Sequence, residues 1–153
     1  MDWIRKEWAT LLVIVLGAAI QLYLVTRPIG TLIASILPDD AFPYFKIAQN
    51  IVGGLGSSFD GIHAANGYHP LWLLALLPIF KFFATPFPNI LAIHVVLLVQ
   101  DVLNTATAFI VARILARFTA NTWIKTLGII VWVLNPFLLY QTINGLETAL
   151  ALF

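Results

Sequence analysis

Residues 8–25 run from Trp8 to Val25 without a single charge, and only Thr10 and Gln21 interrupt the apolar side chains. A backbone that enters hydrocarbon must satisfy its own N–H and C=O groups, so such a run is confined to a helix. At 1.5 Å per residue it reaches about 27 Å, close to the roughly 30 Å of a bilayer's apolar core. Two further runs are long and mostly apolar: residues 90–115, which include Asp101 and Arg113, and residues 123–140, which include Lys125, with a kink expected at Asn135-Pro136. Of the 153 residues, 61% are hydrophobic and 10% are charged, against about 45–50% and about 25% in soluble domains. The fold class this predicts is an all-α integral membrane protein, a multi-helix bundle in the lipid bilayer, as one transmembrane domain over 1–153. A last apolar helix begins in residues 146–153.

Several classes of chemistry fall away at once. The net charge of +1 makes no case for nucleic acid. Without cysteine there is no disulfide, thiolate metal site or cysteine nucleophile. The first run exceeds a signal-peptide core and lacks a small-residue cleavage site, so it is expected to remain as an anchor.

Charge sets the expected orientation. Arg5 and Lys6 precede the first run, with Trp3 and Trp8 at the depth of an interfacial belt, which places the N-terminus in the cytoplasm. Arg113, Arg117 and Lys125 cluster around the connection after residues 90–115. If that connection is cytoplasmic too, residues 141–147 emerge on the outer face, together with the long loop 26–69. This needs the segment 70–84 not to cross. As a helix it reaches about 22 Å, short of the apolar core, and it is left to tilt, to thin the bilayer, or to dip in and return before Thr85-Pro86-Phe87-Pro88 ends it.

The external loop 26–69 is the polar exception in an oily chain. Within it, Tyr44, Phe45, Ile47, Ala48, Ile51 and Val52 recur at helical spacing, opposite Lys46, Gln49 and Asn50. The pattern predicts a short amphipathic juxtamembrane helix over about 42–52, capped by Asp39 or Asp40, with Pro43 in its first turn and Gly53-Gly54 ending it. Gly53-Gly54-Leu55-Gly56 follows no strand, so helix termination explains it better than a phosphate loop. A turn is expected at Asn66-Gly67.

Asp39 and Asp40 admit three readings: a helix cap with a solvated neighbour, a general base with a supporting carboxylate, or an oxygen pair for a divalent cation. Adjacent like charges at a low-dielectric edge raise one pKa, which suits proton abstraction from a hydroxyl. Arg27, Lys46, His63 and His69 lie in the same loop. Each alone is explained by interfacial anchoring; together they supply cations and donors of the kind a phosphate leaving group needs. Ligand spacing for tetrahedral zinc is absent. Asp101 lies within residues 90–115 beside Gln100, Asn104 and Thr105, on a face shared with His94, and is expected to face the bundle in an interhelical hydrogen bond rather than a proton relay.

Pro38-Asp39-Asp40-Ala41-Phe42 followed by His69-Pro70-Leu71-Trp72 resembles the first external loop of the GT-C membrane glycosyltransferases. That superfamily includes the protein O-mannosyltransferases, the lipid A aminoarabinose transferase and the oligosaccharyltransferase catalytic subunits. The chain is most similar to bacterial mannosyltransferase-like sequences that carry Asp-Asp-Ala-Phe, Asn-Gly-Tyr-His-Pro-Leu-Trp and Asn-Gly-Leu-Glu-Thr-Ala in that order, found here at Asp39–Phe42, Asn66–Trp72 and Asn144–Ala149. The resemblance implies inverting sugar transfer from a polyprenyl-phosphate donor to a hydroxyl acceptor at the outer face of the cell's inner membrane. It implies Asp39 as base with Asp40 in support. Lys46, His63, His69 and Glu147 become substrate-binding candidates, Glu147 at the acidic position of a second external motif. If the reaction needs a divalent metal, Asp40 and Glu147 are its candidate ligands. Family members carry more helices and a C-terminal half that helps bind the donor lipid, so this chain is expected to match their N-terminal portion. A second expectation is a small non-catalytic membrane subunit that packs in a larger complex through Ala, Gly and Thr positions.

Overall fold

The computed structural model describes residues 2–83 and 89–153, with side chains described from residue 7 onward. The expected break at 85–88 and the side chains of Trp3, Arg5 and Lys6 lie outside the described residues. The described elements are eight helices: α1 (Asp2–Val25), α2 (Ile29–Ser35), α3 (Ala41–Val52), α4 (Pro70–Phe83), α5 (Ile90–Phe118), α6 (Thr122–Val133), α7 (Pro136–Thr142) and α8 (Thr148–Leu152). One isolated antiparallel bridge joins Ser58 and Ala64.

Two helices are long and apolar enough to cross a membrane, α1 over Glu7–Val25 and α5 over its whole length. At 29 residues, α5 reaches about 43 Å. The expected third span, residues 123–140, is sharper than a kink: it divides into α6 and α7, bent by 58°. The cause is local. Pro136 cannot donate into the preceding turn, and Asn135 turns its side chain to cap the new helix, accepting from the N–H groups of Phe137 and Leu138.

α1 and α6 lie side by side and run parallel. Thr10 and Thr126 share a hydrogen bond of 2.9 Å near one end. Gly17 faces Val133 a few turns on, so closely that a Cβ at position 17 would stand 2.7 Å from the valine Cβ. α5 runs antiparallel to both: Ala112 and Arg113 stand beside Glu7 and Thr10, while at the other end His94 Nε2 lies 3.1 Å from the Arg27 carbonyl. Ile14, Ala108, Ile129 and Val133 fill the three-helix seam. Nearer the loop end, polar groups join the bundle. Gln21 donates to Thr142 (2.8 Å) and accepts from Asn104 (3.0 Å), and Asn104 accepts from the Trp132 indole. Between helices in hydrocarbon such bonds contribute about 0.6 kcal/mol each. Asp101 is buried as well, but its Oδ1 has no hydrogen-bond partner. The interhelical bonding expected of it falls instead to its neighbours Gln100 and Asn104.

A second core sits at the loop end, where Val25, Leu32, Tyr44, Phe45, Trp72, Phe80 and Ile143 meet. Two expectations change here. Residues 29–35, read as loop, form α2, anchored by a fully buried Leu32. The expected cap of α3 is absent: Asp40 holds the cap position with no side-chain bond to the helix, and both aspartates are exposed. The C-terminal end of α3 is as expected. Leu55 N–H bonds to Asn50 O and Gly54 N–H to Ile51 O, with Gly54 at φ 82°, a glycine-terminated helix end.

α4 packs on α3 and α5. His69, just before it, meets Glu147, and Asn89, where the described chain resumes, shares a groove with α2 and α3. Both flanks of α4 therefore stand at the loop end of the bundle. This is the arrangement in which Glu147 shares a face with Asp39 and Asp40.

Candidate functional site

The loop end is organised around the turn at Asn144–Glu147. Gly145 adopts φ 83°, a conformation open to glycine, and three groups hold its peptides. The Trp72 indole N–H donates to Gly145 O at 3.0 Å. Gln100 bridges the two flanking peptides, its Oε1 accepting from Gly145 N–H and its Nε2 donating to Leu146 O. Asn144 closes the turn by accepting from Leu146 N–H. Trp72 and Gln100 are fully buried, so the turn is fixed to α4 and α5 by bonds shielded from water, where they gain strength.

That fixation aims Glu147 at the start of α4. Glu147 Oε1 lies 3.1 Å from His69 Nε2; its Oε2 is buried and has no hydrogen-bond partner. Tyr44, on α3, joins them by accepting a hydrogen bond from the His69 backbone N–H at 2.9 Å. Burial pushes the Tyr44 hydroxyl above its ordinary pKa, and the neighbouring Glu147 charge acts in the same direction.

Around this trio lies an open cleft of about 560 Å³, lined by Asp40, Pro43, Tyr44, Asn66, His69 and Glu147 among others. Its size falls within the roughly 300–1,000 Å³ of small-molecule sites. Three short motifs far apart in sequence, Asp39–Phe42, Asn66–Trp72 and Asn144–Ala149, thus border one space. Of the expected residues, Asp40, His69 and Glu147 meet there. Asp39 is exposed beside Asp40 but outside the lining. Lys46 lines a separate groove. His63 lies elsewhere in the loop and pairs with Asp60, its Nδ1 2.7 Å from Oδ2. The other Asp60 oxygen accepts from the Ile62 and His63 backbone N–H groups. These bonds, led by the His63 side chain, hold the Asp60 carboxyl down at about 2.

Among the described residues no group of three His, Asp or Glu side chains is placed to hold a metal ion. Asp40 and Glu147 alone fall short of the six or more oxygens that hard cations collect.

Tyr44, Trp72 and Gln100 were absent from the expected site. Tyr44 and Trp72 carried the apolar signal of core positions, and Gln100 stood 45 residues from the peptide it binds. A glutamine in the interior of an apolar helix was the one available sign, since such a side chain needs a partner. Compared with known protein families, with curated proteins and with solved structures, the chain matches none.

Proposed function

We propose that this chain forms the N-terminal part of a polytopic membrane glycosyltransferase that moves a sugar from a polyprenyl-phosphate donor to a hydroxyl acceptor. One observation carries the reading: Asp40, His69 and Glu147, each from a different motif of the resemblance, line a single cleft beside a bundle with two helices long enough to cross a membrane. Fold resemblance alone would be a weak warrant for activity; the convergence of charged groups at one space is a stronger one.

The chemistry follows from the groups present. A carboxylate of the Asp39-Asp40 pair takes the proton of the acceptor hydroxyl. The hydroxyl oxygen attacks the anomeric carbon from the face opposite the phosphate. The bond from that carbon to the phosphate oxygen breaks, and polyprenyl phosphate leaves with the electron pair, so configuration inverts. His69, held by Glu147, stands ready to donate to the phosphate as its charge grows. Glu147 acts on the imidazole by orienting it, as a carboxylate orients a catalytic histidine elsewhere.

The test is sugar transfer by the full gene product from a polyprenyl-phosphate donor, with Asp39→Asn and Asp40→Asn measured separately. Loss of a general base costs about 100- to 10,000-fold in turnover. One of the two variants is expected to fall by that much and the other by less. Unchanged turnover in both would sink the reading.

A further inference from the structure

A second cavity of about 550 Å³ lies between α2, α3 and the start of α5. Phe42, Phe45 and Phe59 line its walls, and Phe59 is half exposed at the rim. Among the described residues, three polar side chains reach it: Lys46, Gln49 and Asn89. Lys46 and Gln49 stand one turn apart on α3, on a common face. Lys46 forms no ion pair among the described residues.

Two amide oxygens are unpaired. Gln49 Oε1 and Asn89 Oδ1 are both buried without a hydrogen-bond partner among the described residues. Asn89 is the more telling, at 4% exposure and with a left-handed backbone at φ 54°. It holds the cap position of α5 but makes no side-chain cap. A buried acceptor left unpaired is costly, and such a group calls for a missing donor. The cavity therefore combines aromatic walls, one ammonium and two acceptors that lack hydroxyl or N–H partners. It also sits at the end of the bundle where α1 finishes and α5 begins, an end that meets the headgroups if those two apolar helices cross a bilayer.

We propose that this groove binds an anionic membrane lipid whose headgroup carries hydroxyls, of the phosphatidylglycerol kind. Its phosphate pairs with Lys46, its glycerol hydroxyls donate to Gln49 Oε1 and Asn89 Oδ1, and one acyl chain lies along the phenylalanines. A choline headgroup offers no hydroxyl and fails the two amides. A bare phosphate offers nothing to the aromatic walls. The site is separate from the Asp40–His69–Glu147 cleft, and its test reads no sugar transfer, so either reading can fail alone.

The experiment is native mass spectrometry of the detergent-released full chain with phosphatidylglycerol or phosphatidylcholine at matched concentration. Phosphatidylglycerol is expected to be retained the more strongly. Lys46→Gln is expected to weaken it by about tenfold, the loss of one charge-assisted contact, whereas Lys46→Arg keeps it. Asn89→Gly suits the left-handed backbone and removes only the amide; with Gln49→Leu it is expected to erase the preference over phosphatidylcholine. Thermal melting without lipid checks that each variant folds. Equal retention of the two lipids by the unmodified chain overturns the proposal, as does displacement of phosphatidylglycerol by glycerol 3-phosphate at similar concentration. Should Lys46→Gln fail to fold, the amide double variant decides: an undiminished preference overturns the proposal.

Discussion

A side chain at position 145 would have no room. A Cβ there would stand 2.9 Å from Phe45 Cζ, 3.0 Å from Leu37 Cδ2 and 3.1 Å from Ala41 Cβ, on a backbone at φ 83°. Gly145→Ala is therefore expected to cost about 1–3 kcal/mol through strain and overpacking together. Denaturant unfolding in detergent would measure it, and retention of full stability would show that α3 gives way. Asp60 offers a second test at this scale. Its folded carboxyl is pulled below the ordinary value to about 2 by His63 and two backbone N–H groups. A depressed carboxyl stabilises the loop above the ordinary carboxylate range, and that contribution is lost as pH falls toward 2. Carboxyl-carbon NMR is expected to show Asp60 titrating near 2, with the Ile62 and His63 amides following. A midpoint at the ordinary value would mean the pair does not persist in solution. From sequence, His63 suggested a phosphate partner. Its pairing with Asp60 is instead a local contact three residues apart.

At the scale of helices, the register of α1 against α6 is pinned by a buried ion pair between Lys125 and Glu7, whose side chains are 5% and 16% exposed. Of the basic cluster Arg113, Arg117 and Lys125, Lys125 is paired with Glu7, and Arg113 and Arg117 are exposed. Removing one partner of such a pair strands a charge and costs about 3–5 kcal/mol, whereas replacing both with apolar groups is often neutral. Lys125→Met alone is thus expected to be strongly destabilising, and Glu7→Leu with Lys125→Met to recover most of the loss, as read in a double-mutant cycle of thermal melts. Additive single losses would argue that the two side chains do not interact. The apolar runs behind α1 and α5 were plain from composition, and the α3 pattern, closed by Gly53-Gly54, was equally readable. α2 was not, because seven residues between a proline and a polar turn carry too few periods to tell a helix from a loop. The Asn135-Pro136 signal was read correctly in place but not in size; the 58° bend needed both the missing proline donor and the asparagine cap.

For the whole molecule, the decisive feature is that the chain places its long loop at one end and the exposed Arg113 and Arg117 at the other. α1, α5 and the bent α6–α7 pair each carry the chain from one end to the other, whereas α4 starts and finishes at the loop end. This is why Glu147 can meet His69 across 78 positions of sequence, and why a cleft exists there at all. By the positive-inside rule, the end that carries Arg113 and Arg117 is expected to face the cytoplasm. The chain holds no cysteine, so single cysteines report position cleanly. Ile62→Cys, in the loop over 26–69, and Lys81→Cys, near the end of α4, are both exposed positions. In sealed right-side-out vesicles a membrane-impermeant maleimide is expected to label both. Phe118→Cys, at the far end of α5 and likewise exposed, is expected to react only after the vesicles are opened. If Lys81→Cys behaved like Phe118→Cys, α4 would cross the bilayer, its far end would part from the loops, and the packing of Phe80 on Phe45 that holds α4 to α3 would have to be abandoned. Labelling of Ile62→Cys and Lys81→Cys from one side, with Phe118→Cys from the other, is the pattern that keeps Asp40, His69 and Glu147 on a common face of the membrane.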